Sequence, residues 1–283
     1  MDQVQLTTFQ AVVETGSFEA AARQLHVTPS AVSQRIKALE SAVGQVLVRR
    51  AKPCVATTAG EALVRFAGQV ALLEREALAQ ARDRARVSIV VNADSLYLWF
   101  LPALAAVPGP MYELHTDDQD YTADRLRSGT AMAAVTAEHV PVQGCRIEAL
   151  GSMRYLAVGP STDLSDLAMI VYNRKDQLQH RFLASIRRRI DPPIHYVPAA
   201  ASFVDAIRFG LGWGMVPEPI ARKDIALGHY VEIAPGTHLD VPLYWQYWKI
   251  DSTVLKDLTA AVKSAAAQFL DRPAPDPRAG IAE

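Results

Sequence analysis

The most restrictive feature of this chain lies in its first 45 residues, where three short helical periodicities follow one another with almost no connecting sequence. Leu6, Phe9 and Val13 make one apolar stripe, and Gly16-Ser17 ends that segment and caps the next. Phe18, Ala21, Ala22 and Leu25 make the second stripe. Only His26, Val27 and Thr28 separate it from the third helix, which Thr28 opens as N-cap with Pro29 at the first helical position. There Val32, Ile36, Leu39 and Val43 lie on one face, and Ser30, Ser33, Gln34 and Lys37 lie on another. Two short helices, a tight turn and a polar face on the second member have helix-turn-helix geometry.

Residues 46–58, VLVRRAKPCVATT, alternate apolar side chains around a basic cluster of Arg49, Arg50 and Lys52. This predicts a two-stranded wing whose tip meets a phosphate backbone. From Thr58 a proline-free helix is expected to about Arg84. Its Leu63, Phe66, Val70, Leu73 and Ala77 are spaced three, four, three, four, as in a coiled-coil seam. Two readings stay open: pairing of two chains, or packing of an amphipathic helix on its own domain.

After residue 86 strands alternate with helices. Strands are expected at 87–91, 112–116, 131–135, 155–159, 168–172 and 194–197, and helices at 95–106, 121–128, 176–190, 202–210 and 252–270. Such alternation predicts two α/β lobes with largely parallel sheets. The Pro-rich end, 271–283, is expected to be a flexible tail. At 283 residues and 50% hydrophobic, the chain has material for more than one core. It contains no uncharged apolar run of membrane-spanning length and no signal-peptide pattern, so a cytoplasmic location without membrane partners is expected. Residues 1–86 carry 11 Lys/Arg against 8 Asp/Glu, a balance of +3 that leaves −4 for the remainder. This is a slight tilt toward a basic N-terminal module.

Enzyme readings lack their parts. The seven histidines show no H-E-x-x-H spacing, no P-loop occurs, and GLGWG at 210–214 falls between helix and strand, the wrong order for a dinucleotide turn. Neither a cofactor nor a metal is expected. Cys54 and Cys145 are too far apart in the chain's organisation to suggest a redox pair.

The run LTTFQAVVETGSFEAAARQLHVTPSAVSQRIKALE, followed by LVRR and TTAGEAL, resembles the DNA-binding domain of LysR-type transcriptional regulators, densely over residues 4–62. NADSLYLWFLPAL, DDQDYT and FVDAIRFGLGWGMVPE are similar to the branch of that family that responds to lysine and arginine, the LysG/ArgP group. The resemblance implies a multidomain protein. A winged helix-turn-helix would span 1–58 and a linker or dimerisation helix 59–86. Two periplasmic-binding-protein-like lobes over 87–270, with crossovers near 160 and 235, would hold the effector. It further implies control of a basic amino acid exporter gene, assembly as a dimer or dimer of dimers, and RNA polymerase as a further candidate partner.

The candidate DNA contacts are Thr28, Ser30, Ser33, Gln34 and Lys37, with Arg49, Arg50 and Lys52 toward phosphates. For L-lysine or L-arginine, Ser95 and Ser202 open helices and are candidate donors to the carboxylate, with Phe203 closing over the ligand. Asp94, Asp118 and Asp120 are candidates for the cationic groups, because crowded carboxylates invite a cation. The alternative at both places is helix capping. The alternatives are a LysR-type DNA-binding regulator with a different small-molecule effector, and a constitutive architectural DNA-binder without effector.

Overall fold

The computed structural model describes residues 1–78, 86–117 and 123–270. The expected continuation of the linker helix to Arg84, the acidic run at 118–120 and the tail at 271–283 lie outside the described residues.

Helices α1 (Gln3–Thr15), α2 (Phe18–Gln24) and α3 (Pro29–Val43) form as their caps dictate. Asp2 and Gln5 make a capping box on α1, and the hydroxyls of Ser17 and Thr28 accept from the third residues of α2 and α3. Gly16 takes a left-handed φ of 65°, and a Cβ there would stand 2.8 Å from Pro53, so only glycine fits between α1 and the wing. Phe9, Val12, Ala21, Val32, Ile36 and Leu39 are fully buried in one core. The wing is β1 (Val48–Arg49) paired antiparallel with β2 (Val55–Ala56). Glu40 on α3 accepts from the amides of Leu47 (2.9 Å) and Val48 (3.3 Å), fixing where the wing leaves the helices.

Helix α4 (Thr58–Leu78) has two apolar faces with different fates. Val64 packs into the N-terminal core and Leu72 into the C-terminal one. At Gly68 a Cβ would lie 2.6 Å from the Trp248 ring. Glu76 accepts from the hydroxyl of Ser252 and the amides of Thr253 and Val254. Of the predicted seam, Leu63 and Val70 are half-buried, while Phe66 and Leu73 stay 41% and 40% exposed. The side chain of Ala77 is outside the described residues. One face of this helix therefore packs on its own chain, and Phe66 and Leu73 of the predicted seam stay exposed beside it.

Strand β3 (Arg86–Asn92) leads into α5 (Ala93–Ser95), a π-helical turn (Leu96–Phe100) and α6 (Leu101–Ala105). Pro102 has no N–H to donate backward, and the turn before it widens accordingly. Then follow β4 (Met111–Asp117), α7 (Ala123–Arg127), β5 (Ala133–Thr136) and the long β6 (Cys145–Gly159). Next come β7 (Met169–Val171), α8 (Leu178–Ser185), β8 (Ile194–Tyr196), α9 (Ala200–Arg208), β9 (Gly214–Pro217), α10 (Glu218–Ala226) and β10 (Val231–Glu232). The long β11 (His238–Trp248) and α11 (Thr253–Phe269) complete the chain.

The expectation of largely parallel sheets is corrected. The main sheet has the order β10-β6-β11-β5-β3-β4, with β9 also on β6. Among the described residues, β3-β4, β3-β5 and the small β7-β8 pair are the parallel strand pairs. The reason is the antiparallel pair β6-β11, which runs through both ends of the α/β region and joins them. Strands β9 and β11 escape a reading of periodicity because Gly214 follows a glycine-rich stretch and Pro242 interrupts an otherwise apolar run. Trp99 and Trp245 are core residues, at 3% and 0% exposure. Helix α8 stops five residues before the expected end at 190, because Arg187 turns left-handed at φ 57°.

Candidate DNA-binding face and effector cleft

On α3, Ser30, Gln34 and Lys37 are exposed at spacings of four and three, so they share one face of the helix; Ser33 beside them is half-buried. Thr28 is exposed but serves the helix itself. Its hydroxyl accepts from the Ala31 amide at 3.2 Å and lies 3.0 Å from the Ser30 hydroxyl. The opposite face of α3 is the buried Val32-Ile36-Leu39 row, so burial itself turns the polar row outward. Arg49, Arg50 and Lys52 are exposed around the wing, with the Arg50 guanidinium 5.0 Å from the Phe18 ring centroid. All eight predicted DNA contacts thus belong to the N-terminal unit, six of them exposed and not used as helix caps.

In the C-terminal region, a cleft lies where β3 hands over to α5 and where α8 and α9 begin. It encloses about 50 Å³, or about 530 Å³ when the open space at its mouth is counted. Asn92, Asp94, Asp176, Gln179 and Phe203 are among its lining residues. Asp94 does not cap its helix. The N-cap position is Asn92, and the Asp94 carboxylate accepts from the buried Tyr155 hydroxyl at 2.7 Å. Burial pushes its carboxyl up to about 6, the Tyr155 hydrogen bond opposes this, and the charge of Asp176 adds to the rise. Asp176 accepts from the amides of Tyr172 (3.0 Å) and Leu178 (2.9 Å), which aims it across the start of α8. The Asn92 Oδ1 and Gln179 Oε1 atoms are buried without a hydrogen-bond partner. Two carboxylates and two acceptor oxygens therefore converge on one cleft and call for a donor-rich cation. In the same lining Ala200 opens α9, whose N-cap residue Ala199 makes no side-chain cap, so its first-turn amides are open to an anion.

The predicted effector residues are distributed unevenly around this cleft. Asp94 and Phe203 line it. Ser95 is fully buried with an unpartnered hydroxyl and is not in the lining, and Ser202 is exposed one residue from Phe203. Asp118 and Asp120 are outside the described residues. Sequence reasoning missed Asp176, Gln179 and Asn92. Asp176 carries a local signal, an Asp ahead of a helix, but that signal reads only as a cap. Among the described residues no three His, Cys, Asp or Glu side chains come together to hold a metal ion. Burial pushes the Cys145 thiol up to about 11, which makes it unreactive. No helix among the described residues is long and apolar enough to cross a membrane.

A winged helix-turn-helix on a linker helix, followed by α/β lobes around a polar cleft, is the architecture of a DNA-binding transcriptional regulator. Residues 4–61 match the model of the bacterial regulatory helix-turn-helix proteins of the lysR family. A lysine export transcriptional regulatory protein, LysG of Corynebacterium glutamicum, is 40% identical, with 95% of this chain and 99% of the relative covered. The crystal structure of ArgP from Mycobacterium tuberculosis is 48% identical, covers 94% of this chain and 98% of its own, and superposes with a TM-score of 0.82. Full-length LysG from Corynebacterium glutamicum with bound effector Arg is 38% identical over 95% of this chain and 99% of its own, with a TM-score of 0.76. The chain belongs to the LysR family of transcriptional regulators, among relatives named LysG and ArgP.

Proposed function

We propose that this regulator senses a basic amino acid, L-lysine or L-arginine, and thereby controls a gene for a basic amino acid exporter. The observation that carries the reading is the convergence of Asp94 and Asp176 on one cleft whose lining also holds the uncapped start of α9. A basic amino acid is a carboxylate at one end and carries two cationic groups. The carboxylate suits the α9 amides; the cations suit Asp94, Asp176 and the orphan oxygens of Asn92 and Gln179. Phe203 covers the apolar part of the ligand. Asp118 and Asp120 are proposed as further partners for the cationic groups. The arginine-bound relative supports the same ligand class. Ligand held by elements from both lobes favours the closed arrangement, which is how binding at the cleft reaches the linker helix. Calorimetric titration of the full chain with L-lysine, L-arginine and L-leucine tests this. Heat with the first two and none with leucine is expected; silence with all three removes the effector assignment.

On the DNA side, Lys37→Ala is expected to weaken operator binding and lower the salt slope of log K by about 1, as for one lost phosphate contact. Ser33→Ala with Gln34→Ala is expected to cost roughly 1–3 kcal/mol per lost base contact and to relax sequence preference. Footprinting over a salt series separates the two, and wild-type footprints from both variants would mean that α3 is not the reader.

For assembly, we propose that the exposed Phe66 and Leu73 seam pairs two α4 helices, and that the lobes pair further chains. Leu73→Glu places an unpaired charge in that seam and is expected to split the pair. Light scattering that gives an unchanged mass for Leu73→Glu would rule the seam out.

A further inference from the structure

Away from the cleft, Arg181 within α8 and Arg187, Arg188 and Arg189 just after its C-terminus are all exposed, with no Asp or Glu between residues 177 and 190. His180, Arg187, Arg188 and Arg189 line a groove of about 540 Å³ with Leu183 and Ile190 in its wall. Among the described residues no carboxylate forms an ion pair with Arg187 or Arg189; Arg188 lies within electrostatic reach of Asp163. Adjacent like charges repel, so this arrangement is unfavourable until an anion arrives.

The backbone points the same way independently. Helix α8 closes with paired bonds from the Arg187 amide to Ala184 (3.1 Å) and from the Arg188 amide to Leu183 (3.0 Å). In that closing motif the left-handed residue is usually glycine, because a Cβ is strained there. Here it is Arg187, at φ 57°. A strained arginine thus stands where glycine would be easier, and it is among the residues that line the groove. The backbone amides of Ile186, Arg188 and Arg187 already bond the carbonyls of Phe182, Leu183 and Ala184, so those carbonyls do not call for a guanidinium. The half-charge of the helix end is also small beside three full positive charges.

We infer that this groove binds a small, multiply charged phosphate anion of the pyrophosphate or nucleoside triphosphate class. Guanidinium forks match phosphate oxygens two at a time, His180 adds a further donor, and Leu183 and Ile190 offer an apolar wall. A groove of this volume is the size of a small-ligand site, which favours a discrete anion over the continuous backbone of a duplex.

The test uses the full chain, titrated in a calorimeter with pyrophosphate and with ATP at fixed ionic strength, with a non-operator DNA duplex as a third arm. Arg187→Gly removes the charge at a backbone position that suits glycine, so the melting temperature is expected to hold. Pyrophosphate and ATP are expected to bind the wild type and to bind Arg187→Gly at least tenfold more weakly. The Arg188→Gln/Arg189→Gln double variant should lose binding, while Asp94→Asn in the cleft should keep it. No heat with either phosphate, or wild-type affinity in both arginine variants, overturns the proposal. So does a dependence on these arginines seen only with the duplex.

Discussion

Asp94→Asn is expected to weaken lysine or arginine binding roughly 10- to 150-fold, the equivalent of about 1.5–3 kcal/mol for one charge-assisted hydrogen bond. The same change should stabilise the empty protein. Burial, with Asp176 adding repulsion, raises the Asp94 carboxyl from 3.8 to about 6. An acid whose folded value is raised favours the fold while protonated, and that contribution is lost as pH rises from about 4 through 6. At neutral pH the ionised carboxylate is thus a liability of the empty cleft, which asparagine removes. A cationic effector needs the ionised form, so binding to the wild type should weaken about tenfold per unit of pH below 6 and release a proton there. Asp94→Asn should flatten that dependence. Titration in two buffers of different ionisation enthalpy, from pH 5 to 8, reads both effects. A variant that binds lysine as tightly as wild type, with the same pH profile, would take Asp94 out of the site. Asp176→Asn should weaken binding too, at some structural cost, since its two oxygens accept from two backbone amides.

The second large effect is expected in stability, at the buried Asp224. Its carboxylate, 1% exposed, accepts from Arg208 Nε (2.8 Å) and Tyr230 Oη (3.0 Å), and His229 Nδ1 lies 3.3 Å away. Burial alone would raise this carboxyl, but the hydrogen bonds of Arg208, Tyr230 and His229 outweigh it and hold it below the usual carboxylate range. Its contribution is therefore present above about pH 4 and lost as pH falls through the depressed value. The two ways of breaking the pair should differ. Arg208→Ala strands a buried carboxylate and should cost about 3–5 kcal/mol. Asp224→Ala leaves an arginine that is 34% exposed and able to rehydrate, so its cost should sit at or below the low end of that range. At about 2–4 °C per kcal/mol, Arg208→Ala is expected to lower the melting temperature by roughly 6–20 °C. No shift for either variant would show that the network does not hold this lobe together, and equal shifts would show that the stranded carboxylate does not set the cost. Operator binding at permissive temperature should change little, because α10 and its neighbours make no part of the α3 face.

The DNA-binding unit is legible in the chain because its determinants are local. The rows Leu6-Phe9, Ala21-Ala22 and Val32-Ile36-Leu39 are helical spacings, and Ser17, Thr28 and Gly16 announce their own caps and turn. Burying one face of α3 necessarily exposes the other, so the placement of Ser30, Gln34 and Lys37 follows from spacing alone. Glu40 is legible only as a surface charge, because its partners, the Leu47 and Val48 amides, exist only once the wing folds back.

The α/β region divides differently. Most strands and helices show in their periodicity, but the direction of the sheet does not, since parallel and antiparallel strands bury the same alternation and only the β6-β11 pairing decides between them. The cleft is the plainest case. Asp94 and Asp176 stand 82 positions apart, and each has a sufficient local explanation as a cap. Neither carries a sequence mark that ties it to the other. Their meeting is set by how β3, α8 and α9 converge. The charge each feels depends on that burial and on the other's field, so the chemistry of the site belongs to the tertiary structure.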